Sequence, residues 1–299
     1  MRELDILSQP ARVLTQGERE QFFDQGFVVK ENFVSEDWIV RLKDGVARLI
    51  DKSCNLTVSD GVFDLEEGHT ADSPRLRRIA LLDEMDEVFW DFAKNSNLPD
   101  LAADLMGPDV CFREALLNIK WQGGGQEVKW HQDIPFYPMT NYSVAQFLVC
   151  LDDVGIEPGP LMVIPKSHKG PLYDHYDEKD NWLGFIPDKQ LIEARLEDAV
   201  ELTGPAGTVT VHHCRALHAS RANLSQRSRP VLIIGYAAAD NRPYVAPAYK
   251  SKFYDSVVRG GVARSVHLVD GELRLPPNWS GGYTSIFDHQ EKVNAGKLP

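Results

Sequence analysis

Cysteine, net positive charge and long apolar runs are what this chain of 299 residues is short of. It has four cysteines, Cys54, Cys111, Cys150 and Cys214, and no two of them form a Cys-x-x-Cys pair. That excludes a zinc ribbon, a thioredoxin-type redox motif and a disulfide-stapled scaffold. Cys111 and Cys150 fall in apolar runs and are expected to be buried free thiols, as a reducing cytoplasm allows. Lys and Arg number 32 against 44 Asp and Glu, a formal charge of −12. Nucleic acid and anionic membrane surfaces need a basic footprint, so neither is expected as a partner. No run approaches the roughly 18 apolar residues of a membrane helix. The start, Met1-Arg-Glu-Leu-Asp, carries acids where a secretory signal needs an apolar stretch, and the end is not a Ser-Lys-Leu address. A cytoplasmic protein is therefore expected. Its oligomeric state cannot be read from the sequence.

What is present is ordinary globular material: 43% hydrophobic and 25% charged residues, enough for a sizeable core. There is no internal repeat. Residues 1–106 read as a mainly helical layer. Thr15 caps a helix over Gln16–Gln25 that Gly26 stops, and a short strand follows to Lys30. Ser35 opens an amphipathic helix with Trp38, Ile39, Leu42, Val46, Leu49 and Ile50 at helical spacing. Residues 53–76 read as a long loop, and helical patterns return over Leu82–Lys94 and Leu98–Leu105. After Gly107-Pro108 the texture changes to short strand-like runs: Val110–Trp121, Glu127–Asp133, Ser143–Leu151, Leu161–Ile164, Gly207–His213 and Pro230–Ala237. Turn signals such as Gly123-Gly-Gly125 and Glu157-Pro-Gly-Pro160 separate them. The pattern predicts an α+β fold: N-terminal helices packed on a sandwich, jelly roll or barrel spanning 107–240, with a C-terminal extension over 241–299, in one domain. A charged insertion over 169–199, with a helical pattern near Lys189–Ala199, reads as a lid.

Nine histidines are present. Chance gives about one His-x-Asp/Glu match in such a chain, so the bare pattern is weak. There are three: His131-Gln-Asp133, His175-Tyr-Asp177 and His289-Gln-Glu291. His175 lies in a charge run that reads as solvated, and His289 near the C-terminus. His131 alone ends a plausible strand. Residues i and i+2 of a strand share a face, so His131 and Asp133 can aim together into a barrel mouth. Two imidazoles and one carboxylate with open positions suit Fe(II), and the missing imidazole must come from another strand. The alternative is a hydrogen-bonded pair that shapes a turn. Val211-His-His-Cys-Arg-Ala-Leu-His-Ala-Ser220 offers His212, His213 and His218, of which at most one or two can be ligands. Arg229 opens the following apolar run, either as a carboxylate clamp or as a surface charge.

The stretch Trp130-His-Gln-Asp-Ile-Pro-Phe-Tyr-Pro138, then Glu157-Pro-Gly-Pro-Leu-Met-Val-Ile-Pro-Lys-Ser-His-Lys-Gly170, then His218-Ala-Ser-Arg-Ala-Asn-Leu-Ser225 with Arg229 eleven residues after His218, resembles the phytanoyl-CoA dioxygenase family. The resemblance runs from about Gly26 to Tyr236 and includes Asp24-Gln-Gly-Phe-Val-Val. It implies a double-stranded β-helix (a jelly-roll, cupin-like core) and an oxygenase that uses Fe(II), 2-oxoglutarate and O2, releasing succinate and CO2. It implies an iron triad of His131, Asp133 and His218. It places Arg229 on the far carboxylate of 2-oxoglutarate with the Ser220 hydroxyl beside it, and Asn118 and Lys120 facing the co-substrate. Gln132, between two ligands, is a further candidate beside the cofactor. His168 falls in a structural Pro-x-Ser-His turn. His212 and His213 match no ligand position and are expected to be dispensable for turnover.

Two places depart from the family. Phe147-Leu-Val-Cys150 stands where many relatives carry a Trp, and Ile134-Pro-Phe-Tyr after the triad does not support an ectoine hydroxylase. The expected reaction is oxidation, most simply hydroxylation, of a small molecule. The alternative is a cupin-like metal protein or isomerase without oxygenase activity, which would form no succinate. The substrate is not legible: Phe136, Tyr137, Tyr142 and Arg242 allow an apolar body with an anionic group, but core packing explains the aromatics equally well.

Overall fold

The computed structural model describes residues 1–123, 125–269 and 285–295. The predicted turn at 123–125 and the C-terminal extension thus fall partly outside the described residues. Thr15 caps α2 (Gln16–Gln25) with a reciprocal bond to Glu18, after a short α1 (Glu3–Leu7). Gly26, at φ 87°, ends α2 and turns the chain into β1 (Phe27–Lys30). A Cβ at Gly26 would meet the His168 ring at 2.4 Å, so the turn also needs glycine for space. Ser35 caps α3 (Glu36–Ser53), which buries Ile39, Leu42, Val46 and Leu49. The predicted loop 53–76 contains β2 (Phe63–Leu65) and runs into β3 (Leu76–Ile79). Three residues are too few to show an alternating pattern; pairing with β3 makes the strand. Helices α4 (Leu82–Met85), α5 (Glu87–Asn95) and α6 (Leu98–Met106) follow.

The β-region holds β4 (Val110–Lys120), β5 (Val128–His131), β6 (Val144–Cys150), β7 (Leu161–Val163), β8 (Val200–Leu202), β9 (Val209–His213), β10 (His218–Ser220), β11 (Arg229–Ala238) and β12 (Val257–Arg259). One antiparallel sheet runs β1-β9-β6-β11-β4-β3-β2, with β12 paired to β4; a second runs β5-β10-β7-β8. Period-2 alternation gives the large sheet two apolar faces. Ala115, Leu117 and Ile119 of β4 and Leu232, Ile234 and Tyr236 of β11 face the helices, where they pack with Leu42, Leu49, Phe89 and Phe92. Leu116, Val231 and Ile233 face the other way and pack with Leu161, Val163 and Leu202 of the second sheet. The two sheets thus enclose a second core, the double-stranded β-helix, and the site lies at its mouth.

The segment 169–199 contains no α-helix. The pattern near Lys189–Ala199 forms only single 3-10 turns at Asp188–Gln190 and Leu196–Asp198. Five of its apolar residues instead serve as anchors: Trp182, Leu183, Phe185, Ile186 and Leu191 are buried. The segment expected as a lid packs as a wall against Trp130 of β5 and Leu217 ahead of β10. A last helix, α7 (Ile286–Asn294), is capped by Ser285 and sinks Ile286 and Phe287.

Candidate functional site

His131 ends β5 and His218 begins β10, and the two are directly paired across the small sheet. Asp133 lies two residues beyond the strand, its backbone N–H donating to Cys214 O at 3.0 Å. One donor atom from each of His131, Asp133 and His218 lies within 4.8 Å of the others, and all three residues are buried. Asp133 Oδ1 is 3.9 Å from His131 Nε2 and 3.5 Å from His218 Nε2. Both rings donate Nδ1–H to a backbone carbonyl, His131 to Lys129 at 2.8 Å and His218 to Ala216 at 3.0 Å. That fixes the tautomer and leaves each Nε2 lone pair facing the carboxylate. Burial first, then His218, pushes the His131 imidazole well below its usual range, which keeps it neutral. Two imidazole nitrogens and a carboxylate oxygen are a fitting donor set for Fe(II).

His212 completes the cluster in a way the sequence did not show. It sits on β9 of the large sheet, and its Nε2 donates to Asp133 Oδ2 at 3.0 Å. Burial alone would raise the Asp133 carboxyl. Facing His218 and bonded by His212, it is instead held well below the carboxylate range. His212, which matches no ligand position, is thus buried against a triad member. His213, one residue on, faces the opposite side of β9 and packs against Phe22 and His168. His168 is structural as expected, with its Nε2 on Phe23 O at 3.0 Å.

A pair of cations lies on the same cavity wall. Lys120 ends β4 and Arg229 begins β11, and they are cross-strand partners. Like charges directly opposite each other are destabilising, yet both are buried, at 2% and 7% exposure. Among the described residues neither has a carboxylate within 4 Å, and Arg229 Nε has no hydrogen-bond partner. Arg229 is therefore no surface charge. Burial, then Arg229, lowers the Lys120 ammonium to about 6, and burial lowers Arg229 to about 10. Lys120 Nζ donates to Ser220 Oγ at 2.7 Å, to Ser220 O at 3.1 Å and to Arg221 O. Ser220 thus lies beside the cations. Asn118 lines the cavity too, but its Oδ1 accepts from Arg78 Nε at 2.9 Å.

Gln132 is the expectation that geometry overturns. It follows the end of β5, in the turn between His131 and Asp133, and its side chain points away from the ligands. It is fully buried, donating from Nε2 to Pro171 O and Arg215 O and accepting from Tyr173 N. It ties the triad turn to the 169–199 wall and does not line the cavity. His175, expected to be solvated, is 1% exposed. It stacks on Trp182, accepts from the Gln132 N–H at 3.2 Å, and is lowered by burial to about 4. Its charged neighbours point outward, which the charge run could not reveal.

The cavity is also lined by Arg78, Glu114, Phe136, Tyr137, Gln146 and Tyr249. Tyr142 packs near His213 instead, and Arg242 is spent on Asp255 at 3.0 Å, so neither serves the cavity. Glu114, Gln146 and Arg78 were missed from sequence. The signal for Glu114 was available, since it shares a strand face with Asn118 and Lys120.

The phytanoyl-CoA dioxygenase family model matches residues 22–231. A protein named as a probable alpha-ketoglutarate-dependent hypophosphite dioxygenase of Stutzerimonas stutzeri is 28% identical over 282 residues, 92% of this chain and 97% of its own. The L-proline trans-4-hydroxylase of Streptomyces griseoviridis is 32% identical over 201 residues, 60% of this chain and 72% of that one. A crystal structure of EctD from S. alaskensis with bound Fe superposes with a TM-score of 0.67 at 23% identity, covering 86% of this chain and 91% of that one. That last likeness speaks for the fold. A family match across most of the chain, on a double-stranded β-helix that gathers this donor set, makes the protein a member of the phytanoyl-CoA dioxygenase family and a dioxygenase dependent on Fe(II) and 2-oxoglutarate.

Proposed function

We propose that His131, Asp133 and His218 hold the iron, that Arg229 and Lys120 with Ser220 hold the far carboxylate of 2-oxoglutarate, and that the enzyme hydroxylates a small molecule seated in the same cavity. When bound, the iron supplies the oxygen activation that couples decarboxylation of 2-oxoglutarate, giving succinate and CO2, to oxidation of the substrate. The chain's own residues bind and orient. The carbonyls of Lys129 and Ala216 hold the two imidazoles in register. His212 holds Oδ2 of Asp133 so that Oδ1 alone turns toward the imidazoles. Leu116, Leu148, Leu161, Val231 and Ile233 line the cavity with apolar surface that excludes water from the reacting groups.

The observation that carries the reading is the Lys120–Arg229 pair: two buried basic side chains in direct register, with no acid within 4 Å among the described residues, in the cavity that holds the triad. A carboxylate beside them favours the charged form of Lys120 and fills the bonding capacity left at Arg229 Nε. The relatives named for hypophosphite, L-proline and ectoine support a small-molecule substrate. A cytoplasmic site of action belongs to the same reading, supported by four free cysteines. The test is succinate release by the purified protein. It is expected to require both Fe(II) and 2-oxoglutarate and to vanish in His131→Ala, Asp133→Ala and His218→Ala. Succinate formation that survives His218→Ala would remove His218 from the triad.

A further inference from the structure

The large sheet carries a polar row across four neighbouring strands. Glu114 on β4 is the register partner of Gly235 on β11; Gly235 pairs with Gln146 on β6; Gln146 pairs with His212 on β9. All four residues line the cavity that holds the triad. A β-bulge between Gly235 and Tyr236 sits at this row, where bulges re-aim side chains. Gly235 leaves the middle of the row without a side chain. A Cβ there would stand 3.0 Å from Glu114 Cγ and 3.1 Å from Gln146 Oε1. Glu114 and Gln146 therefore meet over it, Gln146 Nε2 donating to Glu114 Oε1 at 2.7 Å.

What the row lacks is donors. Glu114 has no cation within 4 Å among the described residues, and its Oε2 has no hydrogen-bond partner there. Of the arginines that also line the cavity, Arg78 donates to Asn118, and Arg113 donates from its terminal nitrogens to Asp255 and Asn241 O, with Nε left open. Gln146 Oε1 is buried without a partner, and so is His212 Nδ1. Because Nε2–H of His212 is given to Asp133, the Nδ1 of the neutral ring can only accept. Three acceptors on one wall thus stand empty, one of them on a carboxyl group that burial raises above its usual range. Two of them, Gln146 Oε1 and His212 Nδ1, are buried, and unpaired buried acceptors are costly and call for donors. A group that brings several N–H donors, a positive charge and no acceptor matches all three; a carboxylate or phosphate matches none.

We infer that Glu114, Gln146 and His212 form the substrate subsite for a cationic nitrogen, a primary or secondary ammonium on an otherwise small, largely apolar body. This rests on the reading of the cavity as an oxygenase site, and it places the cation near the middle of β4, away from Lys120 at its end. The cavity then has an anion-binding end for the co-substrate and a cation-binding wall for the substrate, so the two ligands cannot exchange places.

The experiment titrates the full chain, loaded with Mn(II) and 2-oxoglutarate without air, with two probes of one shape: pyrrolidinium, and tetrahydrofuran, in which oxygen replaces the charged nitrogen. Cyclopentanecarboxylate is the anionic probe. Wild-type protein is expected to bind pyrrolidinium about tenfold or more tighter than tetrahydrofuran, the effect of one charge-assisted contact. Glu114→Gln, isosteric and uncharged, is expected to bring the two probes to parity while Mn(II) and 2-oxoglutarate affinities stay at wild-type values. Arg229→Ala is expected to lose 2-oxoglutarate yet keep the preference for pyrrolidinium, measured with Mn(II) alone. The proposal is overturned if wild-type protein binds the probes equally, prefers the carboxylate, or shows no saturable pyrrolidinium binding, or if Glu114→Gln keeps the preference. If Arg229→Ala retains 2-oxoglutarate, the co-substrate clamp falls instead and the subsite stands.

Discussion

Asp133 reaches out from the small sheet and its Oδ2 is held by His212 of the large sheet at 3.0 Å. The bond bridges the two halves of the β-helix at the triad. It divides the carboxylate: one oxygen is fixed by protein and the other is left for a metal. A residue next to the ligands in space, though far from Asp133 in sequence, thus sets how that ligand is presented.

Removing that bond should loosen the metal. His212→Ala leaves Asp133 free to rotate, and loss of such a supporting contact typically costs about 10- to 100-fold in metal affinity. His213→Ala, on the opposite face of β9, is expected to keep wild-type affinity. Co(II) titration followed by its visible absorption measures both. Equal affinities in wild type and His212→Ala would show that the bond only fills space.

Arg229→Ala should weaken 2-oxoglutarate binding. Two charge-assisted hydrogen bonds lost in a buried pocket cost about 2–4 kcal/mol, or about 30- to 1000-fold. Arg229→Lys should recover part of this, since an ammonium lacks the planar fork. Arg227→Ala should be silent, because Arg227 lies outside β11 and is exposed. Titration of each anaerobic Fe(II) variant decides it, and a loss confined to Arg227→Ala would move the clamp there.

Lys120 gives the co-substrate affinity a pH dependence. With its ammonium lowered to about 6 by burial and by Arg229, it is mostly uncharged at neutral pH before ligand arrives. A dianion beside it favours the charged form, so binding takes up a proton. Affinity is then expected to fall as pH rises from about 6 to about 9, by at most about tenfold per pH unit. Lys120→Met should flatten the profile. Calorimetry in buffers of different ionisation enthalpy counts the protons, and a slope that persists in Lys120→Met assigns the proton to another group.

Gln132→Ala tests the wall rather than the chemistry. It strands Pro171 O, Arg215 O and the Tyr173 N–H without their partner. A loss of about 2–4 kcal/mol in unfolding free energy is expected, read by urea denaturation. A loss well under 1 kcal/mol would mean that the 169–199 wall is held by its apolar anchors alone.

The local signals were legible because they are local. Thr15 and Glu18 make a capping box within one turn, Gly26 ends the helix by its own φ, and Leu42, Val46 and Leu49 fall on one helical stripe. The spacing of His131 and Asp133 carried two members of the triad, and the resemblance to the phytanoyl-CoA dioxygenase family from His218 to Arg229 implied the third and the candidate clamp. The sequence could not find β2, β8, β10 or β12, each three residues long, because such strands exist only through their partners. Nor could it tell which way a buried polar residue points. Gln132 stands between two ligands in sequence yet faces the wall, while His212 and Glu114 stand far from them and face the cavity. Strand alternation fixes which residues share a face. Only the closure of one sheet over the other decides which face is the inside, and so which carboxylates and imidazoles meet.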